Sequence, residues 1–243
     1  MLEGMYAAAS GMAAQQQQLD SIGNDLANVS TTGYKAQRTG FHDLLYNQVT
    51  IAGTTTSIGA GAATEEVGRD QREGSVQSTG DPLDLAIEGS GYFTVKRADG
   101  TVALTRDGSF RLDAQGRLCN AEGDLLDPPI ELPKGTTPGE VAIGPDGTVR
   151  AGTRTIGKIT LVEVAAPDRM LAAGGNLFTP TAASGAPRPQ TTSTIHQGAV
   201  EGSNVDVASE MVRMMSAQRA YQLESSAIQT ENQMLSIANQ LRS

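Results

Sequence analysis

Proline is confined to the middle of this chain. All ten prolines lie between Pro82 and Pro189, and residues 1–81 and 190–243 contain none. Because proline breaks helix interiors and removes a hydrogen-bond donor from central strands, long helices are possible only toward the two ends. The 243-residue chain is therefore predicted to be α+β, with long N- and C-terminal helices on either side of a β-rich middle.

This division gives five segments. They are an N-terminal helix (1–33), an extended or linker segment (34–81), a β-rich central domain (82–180), a return linker (181–202) and a C-terminal helix (203–243). Short apolar runs in the middle are separated by turns such as Asp99-Gly100, a pattern typical of antiparallel hairpins. Residues 159–164 are the strongest single strand of this domain. Ser203 or Asn204 is a candidate N-cap for the last helix.

Apolar residues recur every seven positions at both ends, which favours a coiled coil of the two helices. The residues expected at the helix–helix or subunit interface are Met5, Met12, Leu19, Ile22, Leu26, Val207, Met211, Met214, Tyr221, Ile228 and Leu235. An amphipathic helix that packs only on its own domain is the alternative interpretation of the first segment. Aromatic residues are few, and small or polar residues such as Ala8 and Gln15 interrupt the heptad pattern. Full burial of these ends is therefore expected to require other subunits.

Composition excludes several classes of protein. The formal net charge of −9 argues against a general nucleic-acid binder and leaves no polybasic patch for a membrane. Cys119 is the single cysteine, and His42 and His196 are the only histidines, so multi-cysteine zinc sites are excluded. No apolar run is long enough for a transmembrane helix, and the first residues lack the pattern of a cleaved secretory signal.

Aspartates in the middle segment are the main candidates for catalysis. A glycan-cleaving acid/base pair could use Asp84, Asp99, Asp107 or Asp113. Asp99 and Asp107 each precede a glycine, and a turn explains them without catalysis. The sequence therefore predicts no enzyme, no catalytic residue, no cofactor and no metal. A wall-glycan hydrolase and an adhesin-like β module are the alternatives.

Three separated motifs resemble those of the bacterial flagellar basal-body rod and hook protein family. They read GNDLANVSTTGYK at 23–35, DLAIEGSGYF and TRDGSF at 84–93 and 105–110, and EGSNVDV at 201–207. The residues singled out by the two terminal motifs are Asn24, Ala27, Asn28, Thr32, Gly33, Tyr34, Asn204 and Val205.

The resemblance implies a mechanical role. Such a subunit would polymerise with itself into a rigid helical tube that transmits torque from motor to hook. Its partners would be other rod and hook proteins and the flagellar export apparatus, without nucleic acid or membrane insertion. Its place would be the basal body in the cell envelope, reached without a cleaved signal peptide. Residues 41–46 are similar to those of distal rod proteins; a proximal rod protein is the alternative, and a hook-type subunit a further one.

Overall fold

The computed structural model describes residues 2–44, 46–51, 54–59, 61–133 and 135–242. The chain divides into two compact units. Unit 1 comprises Met1–Ala27, Gln37–Gly68 and Asp206–Ser243, and unit 2 comprises Asn28–Ala36 and Arg69–Val205. The predicted α+β organisation is confirmed, because the long helices lie at the two ends and strands dominate the middle.

Unit 1 is built on two long helices, α1 (Leu2–Ala27) and α2 (Val207–Arg242). At about 1.5 Å per residue they are roughly 39 and 54 Å long. They pack against each other, and Gly4 lies against Glu231 whereas Gly11 lies against Glu224. Seven residues forward in α1 therefore correspond to seven residues back in α2, so the helices are antiparallel. Coiled-coil packing of the pair stays a prediction.

Asp206 caps the start of α2. Its carboxylate accepts hydrogen bonds from the Ala208 backbone N–H at 3.1 Å and the Ser209 hydroxyl at 2.7 Å. These bonds lower the pKa of Asp206 below its ordinary value, the Ser209 contact contributing most. The predicted N-cap at Ser203 or Asn204 is therefore wrong, because α2 begins at Val207 and Asp206 supplies the capping carboxylate.

Four strands complete unit 1. They are β1 (Gln37–Asp43), β2 (Tyr46–Ile51), β3 (Thr54–Gly59) and β4 (Ala62–Arg69). β1 pairs with β4, and β2 pairs with β3 in antiparallel register from Tyr46 opposite Gly59 to Ile51 opposite Thr54. The segment predicted as extended thus forms two strand pairs, which its many threonines favour.

The first half of unit 2 contains seven short strands. They are β5 (Val76–Ser78), β6 (Leu85–Glu88), β7 (Phe93–Lys96), β8 (Val102–Thr105), β9 (Arg111–Leu112), β10 (Leu118–Cys119) and β11 (Leu125–Leu126). β7 and β8 form the hairpin that Asp99-Gly100 predicted, and the Asp99 carboxylate accepts the Thr101 N–H at 2.8 Å in that turn.

Nine further strands follow. They are β12 (Val141–Ile143), β13 (Thr148–Ala151), β14 (Arg154–Lys158), β15 (Leu161–Glu163), β16 (Leu171–Gly174), β17 (Leu177–Thr179), β18 (Arg188–Gln190), β19 (Thr194–Gln197) and β20 (Ala199–Glu201). The strand predicted at 159–164 is shorter than expected, since Ile159 bonds to a turn at Gly147 instead of a strand.

One antiparallel sheet has the strand order β16-β17-β8-β7-β11-β10-β9, and a smaller one has the order β12-β13-β14. The pairs β15-β18, β19-β6 and β20-β5 join distant parts of the chain. Strands β18, β19 and β20 lie in the segment predicted as a return linker. Their pairing with β15, β6 and β5 makes that segment part of unit 2.

The core of unit 2 is apolar and continuous. Leu85, Ile87, Phe93 and Val95 are fully buried in it, and the Phe93 and Phe110 rings meet edge to face at 5.2 Å between centroids. The free Cys119 is buried on β10, as expected for a small apolar side chain. Ile195 of β19 belongs to the same core, so the late strands supply part of it.

Neither helix in the described part of the chain has the length and apolarity needed to cross a membrane. Within the same residues, histidine, cysteine, aspartate and glutamate side chains do not gather into a group that could hold a metal ion.

Candidate functional site

Three motif segments meet inside unit 2, at residues 32–36, 105–109 and 201–205. We call this meeting point the motif junction. The Gly33 N–H donates to the Glu201 carbonyl at 2.7 Å, and the Asn204 N–H donates to the Tyr34 carbonyl at 3.3 Å. The Thr32 hydroxyl donates to the Asp107 carboxylate at 2.8 Å. The segment that follows α1 and the segment that precedes α2 are therefore held on the same part of the β unit.

A buried charge cluster lies at the centre of the junction, with one member from each motif segment. The Lys35 ammonium lies 2.5 Å from Glu201 Oε1, and Arg106 Nη1 lies 3.1 Å from Glu201 Oε2. All three side chains are at least 95% buried. Removal of one member would leave the others charged in a poorly solvated site, which is far costlier than loss of an exposed ion pair.

Each member of the cluster also bonds to one backbone group, while Arg106 Nε is buried with no partner among the described residues. Lys35 Nζ also donates to the Arg72 carbonyl at 2.7 Å, and Glu201 Oε1 accepts the Gly74 N–H at 2.9 Å. Arg106 Nη2 donates to the Gly89 carbonyl at 2.7 Å. These contacts stabilise a buried ion cluster that would otherwise be unfavourable.

Burial and charge act in opposite directions on Lys35. Burial lowers the pKa of its ammonium below the ordinary value, and the adjacent Glu201 carboxylate opposes that shift. Nearby, burial raises the pKa of Tyr92 to about 12. The Tyr92 hydroxyl donates to Gln71 at 2.6 Å, and the Arg106 guanidinium lies 5.5 Å from its ring centroid.

Gly33 lets the first segment approach the second closely. Its φ of 66° lies in the left-handed region, which side chains other than glycine rarely adopt. A Cβ at this position would lie 2.5 Å from the Asp107 nitrogen and 2.6 Å from the Arg106 carbonyl carbon. Both the conformation and the space require glycine here.

Asn204 links three backbone segments through one amide. Its Oδ1 accepts the Ala36 N–H at 2.8 Å, and its Nδ2 donates to the Asp70 and Arg72 carbonyls at 2.9 and 3.0 Å. Arg69 reinforces the same place, since its guanidinium donates to the Lys35 carbonyl and lies 5.7 Å from the Tyr34 ring centroid. Tyr34, Ala36 and Val205 form a small buried apolar cluster beside it.

Asn204→Asp tests this link. The carboxylate can still accept the Ala36 N–H, but it cannot donate to the two carbonyls and places negative charge beside them. We expect a loss of about 1–3 kcal/mol in the free energy of unfolding. Urea unfolding at pH 7.5 measures the loss, and Asn232→Asp, the same change at an exposed position of α2, is the comparison. Equal stability of Asn204→Asp and the wild type would contradict this role.

The motif residues Thr32, Gly33, Tyr34, Asn204 and Val205 lie in unit 2, whereas Asn24 and Ala27 lie in unit 1. Thr32 and Asn204 are half-buried at the junction and Gly33, Tyr34 and Val205 are buried there, while Asn28 is half-buried where the segment begins. Asn24 and Ala27 are exposed on the last turns of α1. The first motif is therefore exposed at Asn24 and Ala27 in α1 and buried at Gly33 and Tyr34.

The predicted interface residues fall into three groups by exposure. Ile22 of α1 is buried. The half-buried ones are Met5, Met12, Leu19, Leu26, Met214, Ile228 and Leu235. Val207, Met211 and Tyr221 of α2 are exposed, at 42%, 53% and 38%. On α2, Glu231 and Glu224 lie against Gly4 and Gly11 of α1. The buried residues Ala217 and Glu210 precede them at the same seven-residue spacing, a row that a search for apolar residues does not reveal.

Lys35, Arg106 and Glu201 form a buried ion cluster that the sequence patterns did not predict. Each lies in a recognised motif, and two carry a charge opposite to the third. Opposite charges in three separated motifs were a signal for such a cluster. Two of the aspartates considered for catalysis accept hydrogen bonds from threonine hydroxyls: Asp84 from Thr79 at 2.6 Å, and Asp107 from Thr32 at 2.8 Å.

Three family models match the chain. They describe the flagella basal body rod protein at residues 5–35, the flagellar hook protein FlgE/F/G D1 domain at 86–151, and the flagellar basal body rod FlgEFG protein C-terminal region at 196–241. Lys35, Arg106 and Glu201 lie in the first, second and third of these ranges, so the charge cluster joins all three.

Relatives match over nearly the whole length. The flagellar basal-body rod protein FlgG of Borreliella burgdorferi is 38% identical over 100% of this chain and 99% of its own. This chain belongs to the flagellar basal-body rod protein family. The FlgG protein of Caulobacter vibrioides is 37% identical over 100% of both chains. The flagellar basal-body rod protein FlgF of Mesorhizobium japonicum is 31% identical over 91% of this chain and 90% of its own. The motif junction is thus a structural centre of a rod-family protein.

Proposed function

We propose that this rod-family protein is a structural subunit of the distal rod, and that copies of it polymerise into a rigid helical tube that transmits torque to the hook. The greater identity to relatives named FlgG than to the one named FlgF supports the distal over the proximal position. In this role it catalyses no reaction, and its partners are further copies and neighbouring rod and hook proteins. It reaches the basal body through the flagellar export apparatus without cleavage of a signal peptide.

The observation that carries this proposal is the exposed apolar surface of α2. One side of α2 packs on α1, yet large apolar side chains elsewhere on the helix remain exposed. Met211, Val212 and Met215 form one patch, at 53%, 58% and 47% exposure. Met234, Ile237 and Leu241 form a second, with spacings of three and four residues that place them side by side. Surfaces of this kind are typical of protein–protein contact.

Such contacts explain how a marginal helix pair becomes rigid. The antiparallel pair buries few large apolar side chains: Ala14, Ile22 and Ala217 are the buried apolar residues of the described helices. Burial of the outer patches against neighbouring copies would add roughly 25 cal/mol for each Å² of apolar surface removed from water. Head-to-tail repetition of a contact that does not close gives a helical filament.

A charge placed in the first patch tests polymerisation. We expect the double variant Met211→Glu/Met215→Glu to fold as the wild type does but to fail to complete the rod, because two carboxylates would be buried at the subunit contact. The measurement is swimming motility, with electron microscopy of isolated basal bodies, in a deletion strain that expresses the variant. Motility should fall to the level of the deletion strain.

The matched control is Gln218→Glu/Gln222→Glu. It adds the same charge to the same helix at two exposed polar positions with the same spacing. Circular dichroism of both purified variants should show wild-type helix content. Complete rods with the methionine variant, or equal loss of motility with both variants, would overturn the proposed contact.

A further inference from the structure

Two carboxylates of α2, those of Glu224 and Glu231, lie against α1. Glu210, Glu224 and Glu231 recur with Ala217 at intervals of seven, the spacing at which paired helices normally place apolar residues. Glu210 is buried, and Glu224 and Glu231 are half-buried. Glu210 has a cation beside it, since Arg213 Nη1 lies 3.0 Å from its Oε1.

Glycines of α1 make room for the other two carboxylates. A Cβ on Gly11 would lie 2.6 Å from Glu224 Oε1, and a Cβ on Gly4 would lie 3.0 Å from Glu231 Oε1. Glu224 is therefore pressed against the helix backbone at Gly11. The contact at Gly4 is the same in kind but looser.

Glu224 lacks compensation at this position. Its Oε2 is inaccessible to solvent and has no hydrogen-bond partner among the described residues. The described part of α1 contains neither lysine nor arginine, and the residues one turn either side of Gly11 are Ala7, Ala8, Ala14 and Gln15, none of which titrates. On α2 the residues one turn from Glu224 are Ala220, Tyr221, Ala227 and Ile228, so in the described helices no cationic side chain lies one turn from the carboxylate or from Gly11.

We propose that Glu224 makes the pairing of α1 with α2 sensitive to pH: the pair is weakened while the carboxylate is ionised and strengthened when it takes up a proton. The unpartnered oxygen and the apolar wall opposite it disfavour the charged form. At neutral pH the carboxylate holds the helix pair of a single subunit below its full stability.

The direction of the pH dependence follows from the effect of burial on this group. Burial alone raises the pKa of Glu224 above the ordinary value of 4.5. A group whose pKa is higher in the folded than in the unfolded state stabilises the fold below its unfolded pKa, and this contribution is lost as pH rises through the folded pKa. The helix pair should therefore become more stable as pH falls from 7.5 toward the ordinary glutamate value of 4.5.

Thermal unfolding of the full-length protein, followed by circular dichroism at 222 nm at pH 5.5 and 7.5, tests the proposal. We expect the helical transition of the wild type to shift to a higher temperature at pH 5.5 than at pH 7.5. Glu224→Gln, which has the shape of the protonated side chain, should raise the midpoint at pH 7.5 and remove the difference between the two pH values. Glu231→Gln, the same change one heptad later, should keep that difference.

A wild-type helical signal that is the same at both pH values would overturn the proposal, as would a pH difference that survives in Glu224→Gln. A direct titration of the Glu224 carboxyl carbon by NMR in the wild type provides a second measurement, independent of how the variants fold. Its midpoint should lie above the ordinary glutamate value, and a midpoint at or below that value would contradict the proposed device.

Discussion

Glu201→Gln is expected to lower the free energy of unfolding of unit 2 by about 3–5 kcal/mol, because it leaves two buried cations without their shared counter-ion. The substitution keeps the size of the side chain and removes only its charge. Lys35 and Arg106 would remain within about 3 Å of a neutral amide in a site with almost no access to water. Urea unfolding followed by tyrosine fluorescence measures the effect, since the chain has no tryptophan and Tyr34 and Tyr92 are both buried in unit 2.

The matched control is Glu88→Gln. Glu88 also pairs with a basic side chain, His196 at 2.6 Å, but both partners are at least half exposed. Exposed pairs contribute little because water screens them. A small change for Glu88→Gln beside a large one for Glu201→Gln would support the junction as a structural centre. Equal small losses would show that the buried cluster does not hold the three segments together.

Gly33→Ala should be the second severely destabilising change, with a loss of about 2–4 kcal/mol from left-handed backbone strain combined with overpacking. The new methyl group would meet backbone atoms of residues 106 and 107, which cannot rotate away as a side chain could. Relief of the clash would require the first motif segment to move off the second. The Thr32 contact with Asp107 would then be lost as well. The same urea unfolding experiment measures this change.

Gly80→Ala separates strain from the clash. Gly80 has a φ of 75°, close to that of Gly33, but a Cβ there would meet no atom within 4 Å. Gly80→Ala should therefore lower the free energy of unfolding by only about 1–2 kcal/mol, from left-handed backbone strain alone. Equal losses in the free energy of unfolding for Gly33→Ala and Gly80→Ala would show that the close backbone contact at Gly33 does not contribute to stability.

The general organisation was predictable from proline placement and turn chemistry. Long helices need proline-free sequence, and Asp-Gly pairs mark hairpin turns, so the helical ends and the β7-β8 hairpin followed from local physics. Such rules act over a few residues. They do not reveal that β19 and β20 pair with β6 and β5, strands more than a hundred positions earlier, which is why the segment at 181–202 resembled a linker.

The candidate site was predictable only in part, for a similar reason. Gly33 and Asn204 stand out in motifs, but the partner of a buried charge depends on which segments the fold brings together. Lys35 and Glu201 are separated by 166 residues. In α2, Met214, Ile228 and Leu235 of the seven-residue row are half-buried, whereas Val207 and Tyr221 of the same row are exposed. A search for apolar residues passed over Glu224, whose position depends on the glycine opposite it.

A helical reconstruction of basal bodies purified from the native bacterium tests directly whether this protein is a structural subunit of the rod. We expect repeated copies of this chain within the rod wall, with the exposed patches of α2 buried against neighbouring copies. Rod density that excludes this chain, or copies whose α2 patches face solvent, would contradict it.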